Sequence, residues 1–581
     1  MHRRNQRSQA HISPPPSARH GSMASDLDKH PGSRNRTARK TWLLIVLILF
    51  VLGTMHLVLP HLFSFSSRGR NEEAVYTNRY LKPKNYLNLT DVRSDGEESK
   101  DHPFEFCSAH GDRVGEKYGS VSLSQTRMHL GSSARIKRVI SKALAGQPVT
   151  ISVLGGSVSA CHGAGDDPIA PKCYPSRFFQ WWNTVFPHPA SELTNGAMRR
   201  TTSEYFGYCS THHIPDVTDL IIVELSASDN PNNAKEMTDH FEVLIRSLLL
   251  RPDTPAVLLL GHFSPQLYKA HGSFGADHYH NVVAQFYDVP HLSTKSILFN
   301  DFMRSPKSIN RFYADPILAN PKGHELITDV MIAYFQTQIC DVWDEMISGD
   351  APQVQAGGAG GGLFGGVGQR KGVPEPHPNH LDGHEEVEVD AEGNRIKLGL
   401  PKGGSDYQPS PFAVPAVRMS TRPDEDTPFE EISPFCVSAN DLVNPLPPSL
   451  FEGTGWSAYH PSGPGSGGGE ALNTKAHYWY STLPGSKLRI PVLVGAGDVG
   501  VYYLVSGSGE ESEVKCQVDD NYAGAKSLKN VVPGAPGEET PRLAIIDRFV
   551  SRGNHFVECN LVGDEEAKGV PVFKIVGVFT T

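Results

Sequence analysis

Cysteine is sparse in this 581-residue sequence, and its positions are informative: all eight (107, 161, 173, 209, 340, 436, 516, 559) fall after the first hundred residues. None form a CxxC pair or a Cys/His spacing of the zinc type, so no metal is expected. A basic excess is also missing. The net charge of -9 argues against nucleic acid as the main partner, because phosphate binding needs a basic surface. With 39% hydrophobic and 20% charged residues, the chain is too polar for a multi-span membrane protein and too apolar for global disorder. At roughly 150 residues per domain, there is room for two to four domains with sizeable cores.

The charge is unevenly placed. Residues 1–41 carry nine Lys/Arg against Asp26 and Asp28, a net of +7, which leaves -16 for the rest. This tail runs into the one long apolar stretch, Trp42 to Phe63, which at about 20 residues can span a bilayer as a helix. A cleaved signal peptide has a shorter apolar core, so an uncleaved anchor is expected. Lysine and arginine before the span keep the tail cytoplasmic and send the remainder into the lumen or exterior, a single-pass type II arrangement. Eight cysteines confined to the far side agree with an oxidising compartment, the Golgi or another secretory lumen. Asn88-Leu-Thr90 is a glycosylation sequon there.

Residues 64–147 read as a polar stem. From about 148, buried apolar runs (Val149–Leu154, Leu220–Leu225, Ala256–Gly261) alternate with helical stretches (174–186, 236–250, 323–340). That alternation predicts a doubly wound α/β domain over 148–345, with a parallel sheet, helices on both faces and an active site at the strand carboxyl ends. A Gly/Pro/His-rich linker, 346–433, follows; eight of the twelve residues 357–368 are glycine, and such composition cannot offset ordering entropy. His377, His380 and His384 belong to it as solvated residues rather than a metal tract. Short strands without helices over 434–581 predict an all-β sandwich, with Cys516 and Cys559 as a candidate disulfide.

Val153-Leu-Gly-Gly-Ser-Val-Ser-Ala160 is the sharpest chemical signal. Its Ser157 sits where the first strand ends, on a glycine turn that exposes a nucleophile. No Lys-Ser/Thr follows, so a phosphate loop is excluded.

Asn195 to Ser203, Glu224-Leu-Ser-Ala-Ser-Asp229 and Asp315 to His324 follow in order. Together the four segments resemble the SGNH, or GDSL-like, hydrolase family over residues 148–345. The resemblance implies a serine nucleophile at Ser157, an oxyanion hole and a late Asp-x-x-His pair. It puts Arg200 where the family has its oxyanion glycine, whose N–H survives the exchange. Ser228 replaces the oxyanion asparagine. Asp315, Asn320, Gly323 and His324 match the last block, but the catalytic histidine falls on Leu318.

Leucine cannot take the serine proton, so a standard triad is not present as written. His324 and His262 are possible substitute bases, with His162 a poorer one. Asp315 is either a triad orienter or a helix-capping acid, and Leu318 favours the cap. Trp181 and Trp182 read mostly as core.

Two functions stay open. One is a serine-based esterase or O-acyltransferase acting on O-acyl groups, commonly acetyl, of glycans, as the resemblance implies for lumenal proteins of this kind; it needs no cofactor. The other is a pseudoenzyme that binds glycan or serves as a scaffold, with Trp456, Trp479 and Tyr502 of the sandwich contacting sugar.

Overall fold

The computed structural model describes residues 80–87, 102–108, 112–165, 167–348, 411–420, 429–440, 452–459, 477–495, 497–535, 537–564 and 569–581. The basic tail, the apolar stretch 42–63, Asn88 and the three linker histidines lie outside the described residues. Among the described residues, no helix is long and apolar enough to cross a membrane.

Six strands form the first sheet: β1 Arg127–His129, β2 Thr150–Gly155, β3 Glu192–Asn195, β4 Leu220–Glu224, β5 Ala256–Gly261 and β6 His291–Ser293. They lie in the order β1-β6-β5-β4-β2-β3, parallel except for β1, which pairs antiparallel with β6. β4 and β5 are apolar almost throughout because both faces are covered. Ile151, Val153, Leu220 and Ile222 face the helices Ala134–Leu144, Tyr174–Val185 and Pro321–Ser348. Leu154, Ile221 and Val223 face Ser203–Cys209, Ala234–Leu249 and Ala276–Phe286. Chain order reverses between β2 and β4, which opens the crevice where such sheets place their sites.

The second domain is antiparallel. One sheet runs Thr540–Asp547, Val499–Val505, Phe573–Thr580, Tyr478–Ser481, Ser457–Tyr459, with Phe435–Ser438 also on Phe573–Thr580. The other runs Lys526–Lys529, Glu513–Val518, Gly553–Leu561, Lys487–Val494, Glu452–Thr454. Both sheets share one core, to which Ile490, Val501, Val557 and Ile575 contribute. Cys516 and Cys559 face each other across two neighbouring strands and are bonded. The other bridges are Cys107–Cys340, Cys161–Cys173 and Cys209–Cys436, so no cysteine is free.

Two expected boundaries move. Within the stem expected over 64–147, β1 joins the sheet, Cys107 is bridged to Cys340, and Phe104, Ile136, Val139, Ile140 and Leu144 are core. The i, i+3, i+4 spacing in Ala134–Leu144 carries that signal in the sequence. Part of the expected linker is also held: Arg246 donates to the carbonyls of Pro415 and Val417 at 2.8 Å, and the Glu242 carboxylate accepts from the N–H groups of Met419 and Ser420.

The domains are joined by Cys209–Cys436 and by apolar packing. Tyr502, Leu504, Val576 and Phe579 of the first sandwich sheet share a core with Phe206, Phe241 and Ile245.

Candidate active site

Ser157 follows the end of β2 and is half-buried. Its Oγ accepts the Arg200 N–H at 3.0 Å. Arg200 holds φ +59, the left-handed conformation that a glycine adopts without strain. Its side chain reaches the sandwich instead: Nη1 donates to the Glu539 carbonyl at 3.0 Å, and Nη2 pairs with the Glu538 carboxylate.

Ser228 approaches from the turn after β4. A Cβ on Gly156 would lie 1.7 Å from Ser228 Oγ, so only glycine lets that hydroxyl rest against the nucleophile loop. Ser157, Arg200 and Ser228 thus come together at the β2/β4 crevice. A backbone N–H and a hydroxyl converging beside a serine can hold an oxyanion.

Below them lies a buried acid that sequence reasoning passed over. Glu224 closes β4, and its carboxylate accepts from Ser159 Oγ at 3.1 Å, Ser226 Oγ at 3.2 Å and the Ala227 N–H at 3.3 Å. Burial pushes its pKa up to about 7. A lone carboxylate ending the run Leu-Ile-Ile-Val was the available signal. Ser159 Oγ is also 2.8 Å from the Tyr174 hydroxyl.

The matched motif residues serve as fastenings. Asn195 Nδ2 donates to the carbonyls of Ser159 (2.8 Å) and Pro168 (2.9 Å), tying down the loop after Ser157. Asp229 accepts from the Ser203 N–H at 2.7 Å and meets His280 Nε2 at 2.8 Å. Asn320 Oδ1 accepts from the N–H groups of Lys322 and Gly323 at the start of Pro321–Ser348.

The Asp315–His324 segment holds no proton acceptor at its expected place. Asp315 is exposed, and its Oδ1 accepts from the N–H groups of Ile317 (2.7 Å) and Leu318 (2.6 Å). Leu318 packs on the core. His324 is fully buried, its Nδ1 accepting from the Tyr174 N–H at 3.2 Å; burial pulls its pKa down to about 3. His262 is also buried, with Nε2 2.8 Å from the Ile317 carbonyl and its pKa lowered by burial to about 4. His162 is half-buried, and its backbone N–H donates to the Ser157 carbonyl at 3.1 Å.

The aromatic residues sort differently from expectation. Trp182, Trp479 and Tyr502 are buried, and only Trp181 and Trp456 keep partial exposure. Trp479 points into the sandwich core and Tyr502 is covered by the α/β domain, which rules both out as a sugar platform.

No protein-family model matches the chain, and no curated protein matches it. Solved structures do. A two-domain esterase active on acetylated mannans superposes with a TM-score of 0.50 at 18% identity, over 79% of this chain and 98% of that one. The same esterase co-crystallised with mannopentaose gives 0.49 at 17% identity, over 79% and 97%. At such identity the first of these likenesses shows fold: an α/β domain joined to an antiparallel β domain, shared along nearly the whole of that esterase.

Proposed function

We propose that the chain is an SGNH-type serine esterase or O-acyltransferase of the secretory pathway, anchored as a single-pass type II membrane protein and acting on O-acyl, chiefly O-acetyl, groups of glycans. The observation that carries it is the Arg200 N–H set 3.0 Å from Ser157 Oγ at the crevice where the sheet order reverses. The fold-level likeness to an esterase active on acetylated mannans adds support.

In this reading Ser157 Oγ attacks the ester carbonyl, and the resulting oxyanion takes hydrogen bonds from the Arg200 N–H and the Ser228 hydroxyl. The sugar alkoxide leaves with a proton, and an acyl-serine remains. Water or a second sugar hydroxyl then takes the acyl group and returns a proton to the enzyme. The proton carrier is assigned to His162, in the loop after Ser157, because of the three histidines it alone is partly exposed. Gly163, next to it, packs on the turn that replaces the family's histidine: a Cβ there would lie 3.5 Å from Leu318 Cβ. No cofactor enters.

Leu318 favours a second reading, a pseudoenzyme that binds acylated glycan without turning it over. The test is hydrolysis of a small acetyl ester and an acetylated polysaccharide by the full-length protein. Turnover lost in both Ser157→Ala and His162→Ala supports catalysis; turnover that survives Ser157→Ala overturns it, and none at all in the unmodified chain leaves the pseudoenzyme. Topology is tested separately: in sealed vesicles, an N-terminal tag open to protease is expected, and a protected tag contradicts the type II arrangement.

A further inference from the structure

The outward face of the first sandwich sheet has two parts. Tyr502, Leu504, Val576 and Phe579 are buried against the α/β domain. The same face continues beyond them with Lys574, Tyr480, Tyr478 and Tyr459. Lys574 lies opposite Tyr480, and Tyr478 opposite Tyr459, while the intervening Trp479 and Ile575 point into the sandwich core.

This overhang is tied to the nucleophile. Lys574 Nζ donates to both Glu539 carboxylate oxygens, at 2.6 and 2.8 Å, and lies 5.0 Å from the Tyr478 ring centroid. Glu538 and Glu539 in turn hold the Arg200 guanidinium, whose own backbone N–H is on Ser157. A chain of contacts therefore leads from Ser157 through Arg200, Glu539 and Lys574 to the tyrosines. Tyr459 and Tyr478 stack at 4.6 Å with their planes 18° apart, and Tyr480 stands edge-on to Tyr478 at 6.1 Å. Tyr459, 40% exposed, presents the most accessible ring.

We propose that this ledge binds the sugar chain bearing the ester, with Tyr459 as the stacking platform and Tyr480, Lys574 and Glu539 meeting hydroxyl groups. The inference rests on the glycan reading above and assigns its substrate subsite. A pyranose ring offers a C–H face for an aromatic ring and hydroxyls at its rim. The ledge has both in that arrangement: rings on the strands, one cation and one carboxylate beside them. Because the link passes through Arg200, a chain seated here lies along the route to Ser157.

The test measures binding of acetylated galactoglucomannan by the full-length protein carrying Ser157→Ala, so that no ester is consumed. Adding Tyr459→Ala is expected to weaken binding about tenfold, as loss of an aromatic anchor does, and Tyr459→Trp to retain or tighten it. Tyr522→Ala, an exposed tyrosine in a turn of the other sheet, is the control and should leave affinity unchanged. Unchanged affinity in Tyr459→Ala, or no polysaccharide binding by the parent, overturns the proposal. Failure here is distinct from failure of catalysis. Turnover that requires Ser157 alongside Tyr459-independent binding removes the ledge alone, whereas Tyr459-dependent binding without turnover removes only the enzyme.

Discussion

On the acyl side of Ser157, the Arg200 N–H is 3.0 Å from Oγ, and the Ser228 hydroxyl rests against Gly156. On the side of the Asp315–His324 turn, the Asp315 carboxylate bonds to its own turn, Leu318 packs on the core, and His324 is sealed against Tyr174. In the proposed reading, charge stabilisation and proton transfer come from separate segments of the chain. The first would use the Arg200 backbone N–H, which side-chain substitution leaves in place, together with the Ser228 hydroxyl. In that reading the second falls to His162, because Leu318 offers no proton acceptor.

The strongest way to break this contrast is Leu318→His. General acid–base catalysis contributes about 100-fold or more, and a gain of that order in ester turnover by the full-length protein is expected. No gain would mean that the turn does not present residue 318 to Ser157.

Cleaving the Cys209–Cys436 link addresses the acyl side. That bridge has a sequence separation of 227 residues and leaves from the helix that starts three residues after Arg200. Loss of a native disulfide costs about 2–5 kcal/mol, so Cys209→Ser/Cys436→Ser should lower the denaturation midpoint and split one transition into two. A single unshifted transition would show that the apolar contact alone couples the domains.

Glu224 supplies a pH-dependent version. Unfolded, it ionises near 4.5; folded, it keeps its proton to about 7. The unfolded state therefore loses the proton first, and stability falls as pH rises from 4.5 to 7, then stays lower. Glu224→Gln should remove that slope, worth up to about 3 kcal/mol, in denaturant titrations at pH 5 and pH 8. Equal slopes in variant and parent would show that the carboxyl is ionised in the fold.

Arg200→Gly should have the smallest effect. It relieves the left-handed strain, about 1 kcal/mol, but loses the tie to Glu538 and Glu539. Melting should shift by a few degrees at most; a fall larger than that would mark the clamp as a main domain contact.

Local patterns carried much of this. The apolar runs 149–154, 220–225 and 256–261 became neighbouring strands, and the glycine turn after the first of them holds Ser157. The helix Ala134–Leu144 is equally legible by its spacing, although it lies within a polar segment. The Arg200 clamp had no local signature, since Arg200 and Glu539 are 339 residues apart. Tyr478-Trp-Tyr-Ser481 shows why the exposed aromatics are not legible in the sequence. Its alternation says that one face is buried and does not say which.

Residue order alone determined the domain sequence, the serine at a strand end and the leucine at 318, because each depends on chemistry or periodicity within a few residues. Tertiary structure decided which imidazoles are sealed, which rings face solvent and how the sandwich grips Arg200. Those outcomes depend on burial and on contacts between distant segments, which exist only once two sheets and their helices have packed.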